Sequence, residues 1–480
     1  MASGADEIRS IVEQVLRSPD VAALLGSSRP GGTGSAADAG PGVFPDVGAA
    51  VSAAAAARQE LAALALDARR RLIEAMRRAV LEANESLSRE AVAETGLGNV
   101  PDKVAKNALA ASKTPGVEDV EPVAWSDEHG LTLMERAPWG VIGAITPVTN
   151  PIATIASNAI GMIAAGNAVV FNVHPGAKGV SCRLVALLNG AIAAAGGPRN
   201  LLATVAEPTI ESAGELMRHP GVALLVVTGG PGVVKAAMTS GKKAVCAGPG
   251  NPPCVVDETA DLAKAGRSIV EGAGFDHNVV CICEKEIIAV ASIADRLKAE
   301  MAANGAVELF GRQAEAVVKA ALAETGGPGR PGSPNKDLVG RSAQASARAA
   351  GVEVPAGTRL LLLEVGRDHP LVWTEQLMPV IPLVRMPDAD AAIDFAFLAE
   401  RGCRHTAMIH SHDVARLSRM AKLMDCSIFV KNGPCFAGLG RGGAGYASFT
   451  VASPTGEGVT RARTFTRERR CTLVDAFRII

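Results

Sequence analysis

Short apolar runs that alternate with helical patterns organise most of the chain. Between residues 140 and 240, the runs GVIGAIT, NAVVFNV, LLATVAE and VALLVVTGG alternate with segments whose periodicity predicts helices at about 151–165, 179–195, 209–218 and 231–240. Continuously apolar short strands that alternate with helices indicate a parallel sheet covered on both faces. A second alternation, from about residue 251 to 436 and including EKEIIAV and HTAMIHS, predicts a second α/β domain.

Helical and hairpin patterns precede the first sheet, and a strand pattern ends the chain. Residues 46–111 predict helices, with a stop at Gly96 and Gly98 of the kind that glycine C-caps provide. The runs EPVAW and LTLMER, joined by SDEHG, predict a β-hairpin. The final segment TRERRCTLVDAFRII predicts an edge strand.

The first 45 residues differ from the rest in composition. Residues 6–18 predict a short amphipathic helix, because apolar side chains recur at helical spacing at Ile8, Ile11, Val12, Val15 and Leu16. Residues 19–45 are rich in Gly, Ser, Ala and Pro and are expected to form a flexible linker. The helix is therefore expected to be tethered to the folded part and to bind another protein surface.

Composition and charge exclude several classes of partner. The 480 residues carry 48 basic and 49 acidic side chains, and this balance does not favour nucleic acid or an anionic membrane as the main partner. No apolar run is expected to reach the roughly 18 to 20 residues of a membrane span. Nine cysteines are too few for a disulfide framework, so a reducing cytoplasm is expected.

The segment GFDHNVVCICEK at 274–285 holds the most reactive side chains. A metal site is disfavoured, because His277, Cys281 and Cys283 supply only three ligands and no further ligand cluster lies nearby. A disulfide between cysteines two apart would be strained. A nucleophilic cysteine and a buried structural cysteine remain as the two interpretations.

Three loops follow strands of the first sheet, where ligands bind in such folds. The turn in VVTGGPGVVKAAM at 226–238 leads into a helix whose free N–H groups suit a phosphate, although many α/β proteins have such a turn for geometric reasons alone. The other loops are TPVTNP, which carries Asn150, and VHPGAKG. Asn150 either satisfies backbone groups of its turn or donates to an oxyanion.

Six motifs of this chain resemble those of the aldehyde dehydrogenase family: FDHNVVCICEKEI, TPVTNP, VVTGGPG, AGPGNPP, TEQLMPV and HTAMIHS. The similarity is strongest to its CoA-acylating members from bacterial microcompartments, and it extends from about residue 46 to the end. It implies a Rossmann-like cofactor domain (46–118 and 138–250, with a return at 446–460), an α/β catalytic domain (251–445) and a small β oligomerisation element (119–137 and 461–480).

The resemblance also implies site residues and cofactors. Cys281 would be the nucleophile, Asn150 the oxyanion donor and His405 an assistant in proton movement or CoA attack. Glu375 would hold the nicotinamide ribose. NAD would be the cofactor and coenzyme A a co-substrate, and no metal is expected. The residues expected to line the cofactor site are Thr146, Pro147, Asn172, His174, Pro175, Thr228, Gly229, Gly230, Gly232, Glu375 and Leu377.

One departure from hydrolytic relatives favours CoA as acceptor. Those enzymes place a glutamate after the glycine turn and its helix to activate water, whereas no Asp or Glu occurs here from Leu216 to Val256. The expected product is an acyl-CoA from a short-chain aldehyde such as acetaldehyde or propionaldehyde. The alternatives are a hydrolytic aldehyde dehydrogenase, a non-redox Cys/His acyltransferase, and a scaffold whose site is idle.

The resemblance implies further partners and a location. Dimers or tetramers are expected, and residues 1–18 resemble the encapsulation peptides that attach such enzymes to microcompartment shells. The expected location is the cytoplasm, inside a bacterial microcompartment. The loop VHPGAKG lacks the acidic residue with which many relatives bind the adenine ribose, and its Lys178 is suited to a phosphate, so the sequence favours NAD over NADP only in part.

Overall fold

The computed structural model describes residues 40–475 and 477–480. The helix predicted for residues 6–18 and the predicted linker up to residue 39 lie outside the described residues. The predicted end of the linker at residue 45 is wrong, because Val43–Phe44 form strand β1. This strand pairs in parallel with β6 (Leu202–Val205), which orders a segment that its composition alone would not.

The helices predicted within the described residues are present, and the ends of the first two follow known capping rules. The Asp46 side chain accepts a hydrogen bond from the backbone N–H of Ala49 (2.8 Å) at the start of the first helix. Gly96 ends the second helix in the left-handed conformation, with φ of 69°. The α-helices of the described residues are α1 (Val47–Ala62), α2 (Leu66–Thr95), α3 (Val100–Lys113), α4 (Pro151–Ala164), α5 (Lys178–Ala194), α6 (Ile210–Arg218), α7 (Pro231–Met238), α8 (Leu262–Gly274), α9 (Ala294–Ala303), α10 (Gly311–Ala321), α11 (Ala343–Ala349), α12 (Ala389–Ala399) and α13 (Val414–Met424).

The first sheet contains six parallel strands in the order β1-β6-β5-β4-β7-β8. The chain runs outward from β4 through β5 to β6 and then returns to the other side of β4 for β7 and β8. The carboxyl ends of β4 and β7 therefore flank a topological switch point, where doubly wound sheets bind ligands. The remaining bounds are β4 (Val141–Ile145), β5 (Ala168–Asn172), β7 (Leu224–Thr228) and β8 (Ala244–Ala247).

The second sheet contains seven parallel strands in the order β11-β14-β15-β10-β9-β16-β17. It has apolar clusters of its own, separate from the cluster that covers the first sheet. The expected α/β fold with two parallel sheets is thus confirmed. The strands are β9 (Pro253–Val256), β10 (Glu286–Val290), β11 (Ala306–Glu308), β14 (Leu360–Glu364), β15 (Val380–Met386), β16 (Thr406–His410) and β17 (Ile428–Lys431).

A third, antiparallel sheet contains β2 (Val123–Asp127), β3 (Gly130–Pro138) and β20 (Thr466–Val474). It confirms the predicted hairpin, and the terminal strand lies at an edge as predicted. Two short pairs complete the described strands: β12 (Leu322–Glu324) with β13 (Ser333–Pro334), and β18 (Val451–Ala452) with β19 (Gly458–Val459).

The segment after the second sheet returns to the first. The hydroxyl of Thr455 accepts a hydrogen bond from the backbone N–H of Cys246 on β8 (2.9 Å). The hydroxyls of Thr450 and Thr228 lie 2.9 Å apart, which places Thr450 beside the carboxyl end of β7. Thr450 and Thr455 thus contact the first sheet, and the return to the cofactor domain at 446–460 stays a prediction.

One described helix, Pro175–Ala194, is long and apolar enough to cross a membrane by length and composition. No membrane span is expected from the sequence, because the charged Lys178 and Arg183 interrupt the apolar run of this helix. The mean hydropathy of the helix is nevertheless 1.2. Its buried stripe, with Val180, Leu184 and Leu188, packs in the core of the first sheet. Such packing is typical of a core helix.

Candidate active site

The candidate site lies where the edges of the two large sheets meet. The predicted residues Thr146, Asn172 and Thr228 lie at the carboxyl ends of β4, β5 and β7. In the second sheet, the neighbouring strands β15, β10, β9 and β16 are each preceded by a site residue: Glu375, Cys281, Gly250 and His405 in that order. The loop of residues 248–252 connects the carboxyl end of β8 to the amino end of β9.

Gly250 lies between the predicted nucleophile and the predicted histidine. A Cβ atom at this position would be 2.9 Å from Cγ of His405 and 3.1 Å from the carbonyl oxygen of Cys281. The backbone N–H of Gly250 donates to Oε1 of Glu375 (3.3 Å). Cys281, His405 and Glu375, three residues that the sequence resemblance implies, are therefore brought together around one glycine.

The Cys281 loop has an unusual backbone that is held by buried side chains. Asp276, His277 and Asn278 have φ of 47°, 54° and 64°, a left-handed conformation that non-glycine residues rarely adopt. The Asn278 amide donates to the carbonyls of Ala273 (2.8 Å) and Glu284 (3.0 Å). These bonds fix the strained turn that leads to the nucleophile.

A buried lysine binds backbone carbonyl groups of the same loop. Lys285 is fully buried, and its Nζ donates to the carbonyl oxygens of Asn278 (3.0 Å) and Val280 (3.4 Å). The backbone N–H of Lys285 donates to the carbonyl of Pro252 (3.0 Å). The ammonium is also the positive charge that acts on Cys281.

Cys281 is partly exposed as a residue, but its thiol is surrounded by protein and is protonated at neutral pH in this arrangement. Burial, together with the carboxylate of Glu375, raises its pKa to about 12 against the opposing effect of Lys285. The sequence interpretation assigns the attack to a thiolate. The thiol must therefore lose its proton to an acceptor in the site before it attacks.

Cys283 and His277, the other two candidate ligands of this segment, make contacts away from Gly250. Cys283 is fully buried in the apolar cluster of the second sheet, and its Sγ lies 4.0 Å from the carbonyl oxygen of Phe275. Nδ1 of His277 lies 3.1 Å from the carbonyl oxygen of Gly340. Across residues 40–475 and 477–480, no group of three His, Cys, Asp or Glu side chains that could hold a metal ion was found.

His405 is a neutral imidazole in the interior. Burial and the charge of Lys285 lower its pKa to about 4. Its Nδ1 lies 2.8 Å from the hydroxyl of Thr406, and its backbone N–H donates to Glu400 (2.9 Å). Nε2 is buried without a hydrogen-bond partner. The role of His405 in proton movement or CoA attack stays a prediction.

Asn150 precedes α4 but does not cap it, because its side chain makes no hydrogen bond to the first N–H groups of that helix. Oδ1 accepts from Nζ of Lys106 (2.6 Å), and Nδ2 donates to the hydroxyl of Thr149 (3.1 Å). The amide is 7% exposed. One hydrogen of Nδ2 therefore has no partner among the described residues. The oxyanion role of Asn150 stays a prediction.

The start of α7 is suited to the phosphates of a dinucleotide. Gly230 is the N-cap and provides no side chain to the helix N–H groups, and Pro231 is the first helical residue. Cβ atoms at Gly230 and Gly232 would meet nothing within 4 Å, whereas one at Gly229 would lie 2.7 Å from the Val233 side chain. Open backbone N–H groups at a helix N-terminus favour an anion.

Several predicted cofactor residues make internal contacts. Oδ1 of Asn172 accepts from Ser212 (2.6 Å), and Nδ1 of His174 accepts from the backbone of Gly176 (3.0 Å). Leu377 has φ of 53°, and its carbonyl accepts from Gly340. The Thr146 hydroxyl, in contrast, is buried without a partner. Pro147 and Pro175 flank these residues in the loops after β4 and β5.

Sequence reasoning missed Gly250, Lys285, Lys106 and Asp276. Gly250, Lys106 and Asp276 contact residues that are distant in sequence, so spacing gave no guide to their partners, whereas Lys285 binds Asn278 and Val280 within its own motif. A weak signal exists: Lys106 and Asp276 are charged residues within segments whose neighbours are mostly apolar or small. A buried charge requires a partner, and both prove to be buried.

The sequence matches the aldehyde dehydrogenase family over residues 37–449. The chain belongs to this family. It is 53% identical over 404 residues to an acetylating acetaldehyde dehydrogenase, EutE, of Salmonella typhimurium, covering 83% of this chain and 86% of that protein. The predicted family is thereby confirmed.

Solved structures of family members have the same fold as this chain. Propionaldehyde dehydrogenase of Rhodopseudomonas palustris, with bound CoA and an acylated cysteine, is 49% identical, with a TM-score of 0.88 over 92% of this chain and 99% of that one. A propionaldehyde dehydrogenase from the fucose utilisation microcompartment of Clostridium phytofermentans is 44% identical, with a TM-score of 0.89 over 92% and 100%. An engineered glycolyl-CoA reductase with bound NADP+ is 48% identical, with a TM-score of 0.89 over 92% and 99%. The names of the acetylating dehydrogenase, the CoA-bound propionaldehyde dehydrogenase and the glycolyl-CoA reductase agree with the predicted CoA-acylating class.

Alkylation of the free enzyme tests the protonated state of Cys281. Because the thiolate fraction below the pKa grows about tenfold per pH unit, modification of Cys281 by iodoacetamide should rise about tenfold per unit from pH 7 to 9 and not level off. Mass spectrometry of the tryptic peptide measures the rate, and Cys281→Ala removes the signal. A plateau near the ordinary cysteine pKa of about 8.5 would contradict the assigned environment.

Proposed function

We propose that this chain oxidises a short-chain aldehyde with NAD and coenzyme A, and that an acyl-CoA and NADH are formed through a thioester on Cys281. The observation that carries the proposal is the surroundings of Cys281. No Asp or Glu occurs from Leu216 to Val256, where hydrolytic relatives place the base that activates water, and the carboxylate that does act on Cys281, Glu375, is assigned to the nicotinamide ribose. A relative with the same fold holds CoA and an acylated cysteine.

The reaction needs two nucleophilic attacks on one carbonyl carbon. The Cys281 sulfur gives up its proton and bonds to the aldehyde carbon, and the oxyanion is stabilised by the free N–H of Asn150. NAD, when bound, supplies the acceptor for the hydride that leaves this carbon. The CoA thiol then gives its proton to an acceptor and attacks the thioester, and the Cys281 sulfur leaves as a thiolate that recovers a proton.

His405 is the proposed proton acceptor for the CoA thiol. The imidazole is neutral because burial and Lys285 lower its pKa to about 4, so Nε2 has a free lone pair when Nδ1–H donates to Thr406. The ring contacts the same Gly250 as the Cys281 carbonyl. Glu375, which the Gly250 N–H binds, is assigned to the nicotinamide ribose.

One ion pair and one pair of backbone hydrogen bonds support NAD rather than NADP. We place the adenosine ribose near the loop after β5, as in other doubly wound sheets. There, Nζ of Lys178 is paired with Glu207 (2.5 Å), and the N–H groups of Gly179 and Val180 donate to the carboxylate of Glu94 (2.7 and 2.8 Å). Both groups that suit a 2′-phosphate are thus occupied by carboxylates, which would repel it.

The third sheet is the proposed oligomerisation element. All five residues of β2 are exposed, and Trp125 is 51% and Val474 68% exposed at its surface. Apolar side chains on an exposed sheet favour contact with another protein. A homodimer or homotetramer is the proposed assembly.

Attachment to a microcompartment shell is the proposed role of residues 1–18. The apolar stripe of this segment is too short for a stable isolated helix in water, and its charged residues are nearly balanced, which fits a protein groove better than an anionic membrane. A relative of similar fold comes from a microcompartment. The proposed location is inside such a compartment in the cytoplasm.

CoA dependence tests the proposed reaction. NADH absorbance is followed with a short aldehyde and NAD, with and without CoA. Steady turnover should require CoA, whereas without it at most one NADH per site should form. Steady CoA-independent turnover would support the hydrolytic alternative, and no NADH would support the acyltransferase or the idle scaffold. Cys281→Ala should abolish NADH formation, and the buried Cys283→Ala, its matched control, should retain most of it.

The preference of the enzyme for NAD or NADP tests the roles of Glu94 and Glu207 at the start of α5. Glu94→Gln combined with Glu207→Gln should raise kcat/KM for NADP relative to NAD by about three- to tenfold, because two negative charges near the 2′-position are removed. Glu90→Gln is the control, since Glu90 pairs with Arg183 on the same surface without contacting the loop. An equal shift in the control, or none in the double variant, would contradict the assignment.

Fusion to a fluorescent protein tests whether residues 1–18 attach the enzyme to shells. A fluorescent protein carrying residues 1–45 should co-purify with shells in shell-forming cells, and the enzyme lacking residues 1–18 should keep its CoA-dependent activity but not co-purify. Replacing Ile8, Val12 and Val15 by Ser should abolish targeting, because the apolar stripe is lost. Diffuse cytosolic fluorescence of the unaltered fusion would overturn the proposal.

A further inference from the structure

We propose that Lys106 is a positioning residue that sets the amide orientation of Asn150 and couples it to the loop of the nucleophile. This inference rests on the proposed oxyanion role of Asn150. It adds a residue of α3 to the groups on which the reaction depends, although Lys106 is separated by 44 positions from Asn150 and by 170 from Asp276.

The contacts form a buried chain between the two sheets. Nζ of Lys106 donates to Oδ1 of Asn150 (2.6 Å) and to Oδ2 of Asp276. Nζ of Lys103, one turn earlier on α3, donates to the same Oδ2 of Asp276 (3.1 Å). The exposed fractions of the Lys103, Lys106 and Asp276 side chains are 3%, 2% and 0%.

The direction of the Lys106 bond decides how the Asn150 amide is oriented. An ammonium group has only donors, so the atom of the amide that faces it must be the carbonyl oxygen. The NH2 group then points away from Lys106, where one hydrogen binds Thr149 and the other is free. With a neutral apolar side chain at position 106, no interaction would distinguish the two amide orientations, and the flipped one would place an oxygen where the oxyanion forms.

The charges explain why this lysine persists in the interior. Burial alone would raise the pKa of Asp276, but Lys106 and Lys103 lower it below its usual value. Burial and Lys106 lower the pKa of Lys103 to about 8. The carboxylate therefore stays ionised and holds the Lys106 ammonium in a site that would otherwise be costly for an isolated charge.

Asp276 in turn belongs to the loop of the nucleophile. Its Oδ1 accepts from the backbone N–H of Asn99 (2.9 Å), and its own N–H donates to Asp102 (2.9 Å). A Cβ at Gly98 would lie 1.8 Å from Oδ1, so the carboxylate packs directly on the chain before α3. Asp276 precedes Cys281 by five residues. The pair of Lys106 and Asp276 therefore connects the oxyanion donor to the start of the Cys281 loop.

Two buried lysines make a matched experiment. Lys106→Met and Lys103→Met each remove a buried ammonium that binds Asp276, but only the first loses the contact with Asn150. We measure single-turnover NADH formation without CoA at saturating aldehyde and NAD, and NAD affinity by fluorescence. Lys106→Met should slow acylation by about 10- to 100-fold, less than the roughly 10²- to 10³-fold expected for losing the oxyanion donor, with unchanged NAD affinity. Lys103→Met should change the rate by less than about threefold.

A double-mutant cycle separates this inference from the role of Asn150. Asn150→Ala alone tests that role and should slow acylation by about 10²- to 10³-fold. In the Asn150→Ala background, Lys106→Met should have little further effect, because no amide is left to orient. Multiplicative losses in the double variant, or equal losses for the two lysine variants, would overturn the inference while leaving the oxyanion role intact. An unaffected Asn150→Ala enzyme would overturn that role first.

Folding is controlled separately. Thermal unfolding of both methionine variants shows whether each retains the native structure, and Lys106→Arg keeps the positive charge and should recover part of the lost rate. If Lys106→Met does not fold, Lys106→Gln and Lys103→Gln replace the pair, since glutamine keeps polarity without charge. Lys106→Gln is expected to show the same selective loss of acylation rate, and a rate equal to that of Lys103→Gln would overturn the inference.

Discussion

The approach of two backbones at Gly250 is the constraint on which the rest of the site depends. A side chain at this position would collide with the His405 ring and the Cys281 carbonyl, so these two residues share a site only because position 250 has none. The same residue donates its N–H to Glu375. Since Gly250 lies in the loop from β8 to β9, it also fixes the distance between the sheet that carries the cofactor loops and the sheet that carries the thiol. A change in that loop would therefore alter acylation and cofactor binding together.

Buried charge is the second physical feature of the site. Glu284, Lys285 and Glu286 are fully buried at the start of β10, and both carboxylate oxygens of Glu286 lack a hydrogen-bond partner. Burial raises the pKa of Glu284 to about 7 and raises that of Glu286 strongly, so Glu286 favours the neutral form and Glu284 is only partly ionised at neutral pH. An apolar strand would be more stable here. The retained groups surround Lys285, the one cation that stabilises a thiolate at Cys281, which suggests that the sequence favours reactivity over stability at this position.

Local patterns predicted the elements well, because apolar periodicity and glycine stops act within a few residues. The strand at Val43–Phe44 was missed because two residues in a Gly- and Pro-rich segment are ordered only by pairing with a distant strand. Half of the site followed from the rule that ligands bind at carboxyl ends of parallel strands. The catalytic half lies before the amino ends of its strands, so only the family resemblance located Cys281, Glu375 and His405. Lys106 and Asp276 could not be paired from sequence, since 170 residues separate them and Lys106 belongs to no interpreted motif, although Asp276 lies in the motif of Cys281.

The resting thiol and the thioester place related demands on the same environment. A pKa of about 12 keeps free Cys281 protonated and limits side reactions, but it also makes the Cys281 thiolate a poor leaving group when CoA attacks. Acylation and deacylation are both favoured by any change that stabilises this thiolate. Burial is the largest effect that opposes ionisation of the Cys281 thiol, and the carboxylate of Glu375 is the second largest. If this carboxylate binds the ribose hydroxyls as proposed, those hydrogen bonds disperse its charge and weaken its effect on the sulfur. Cofactor binding would then activate the thiol in the same step that brings the hydride acceptor, so that the nucleophile becomes reactive only when its product can be oxidised.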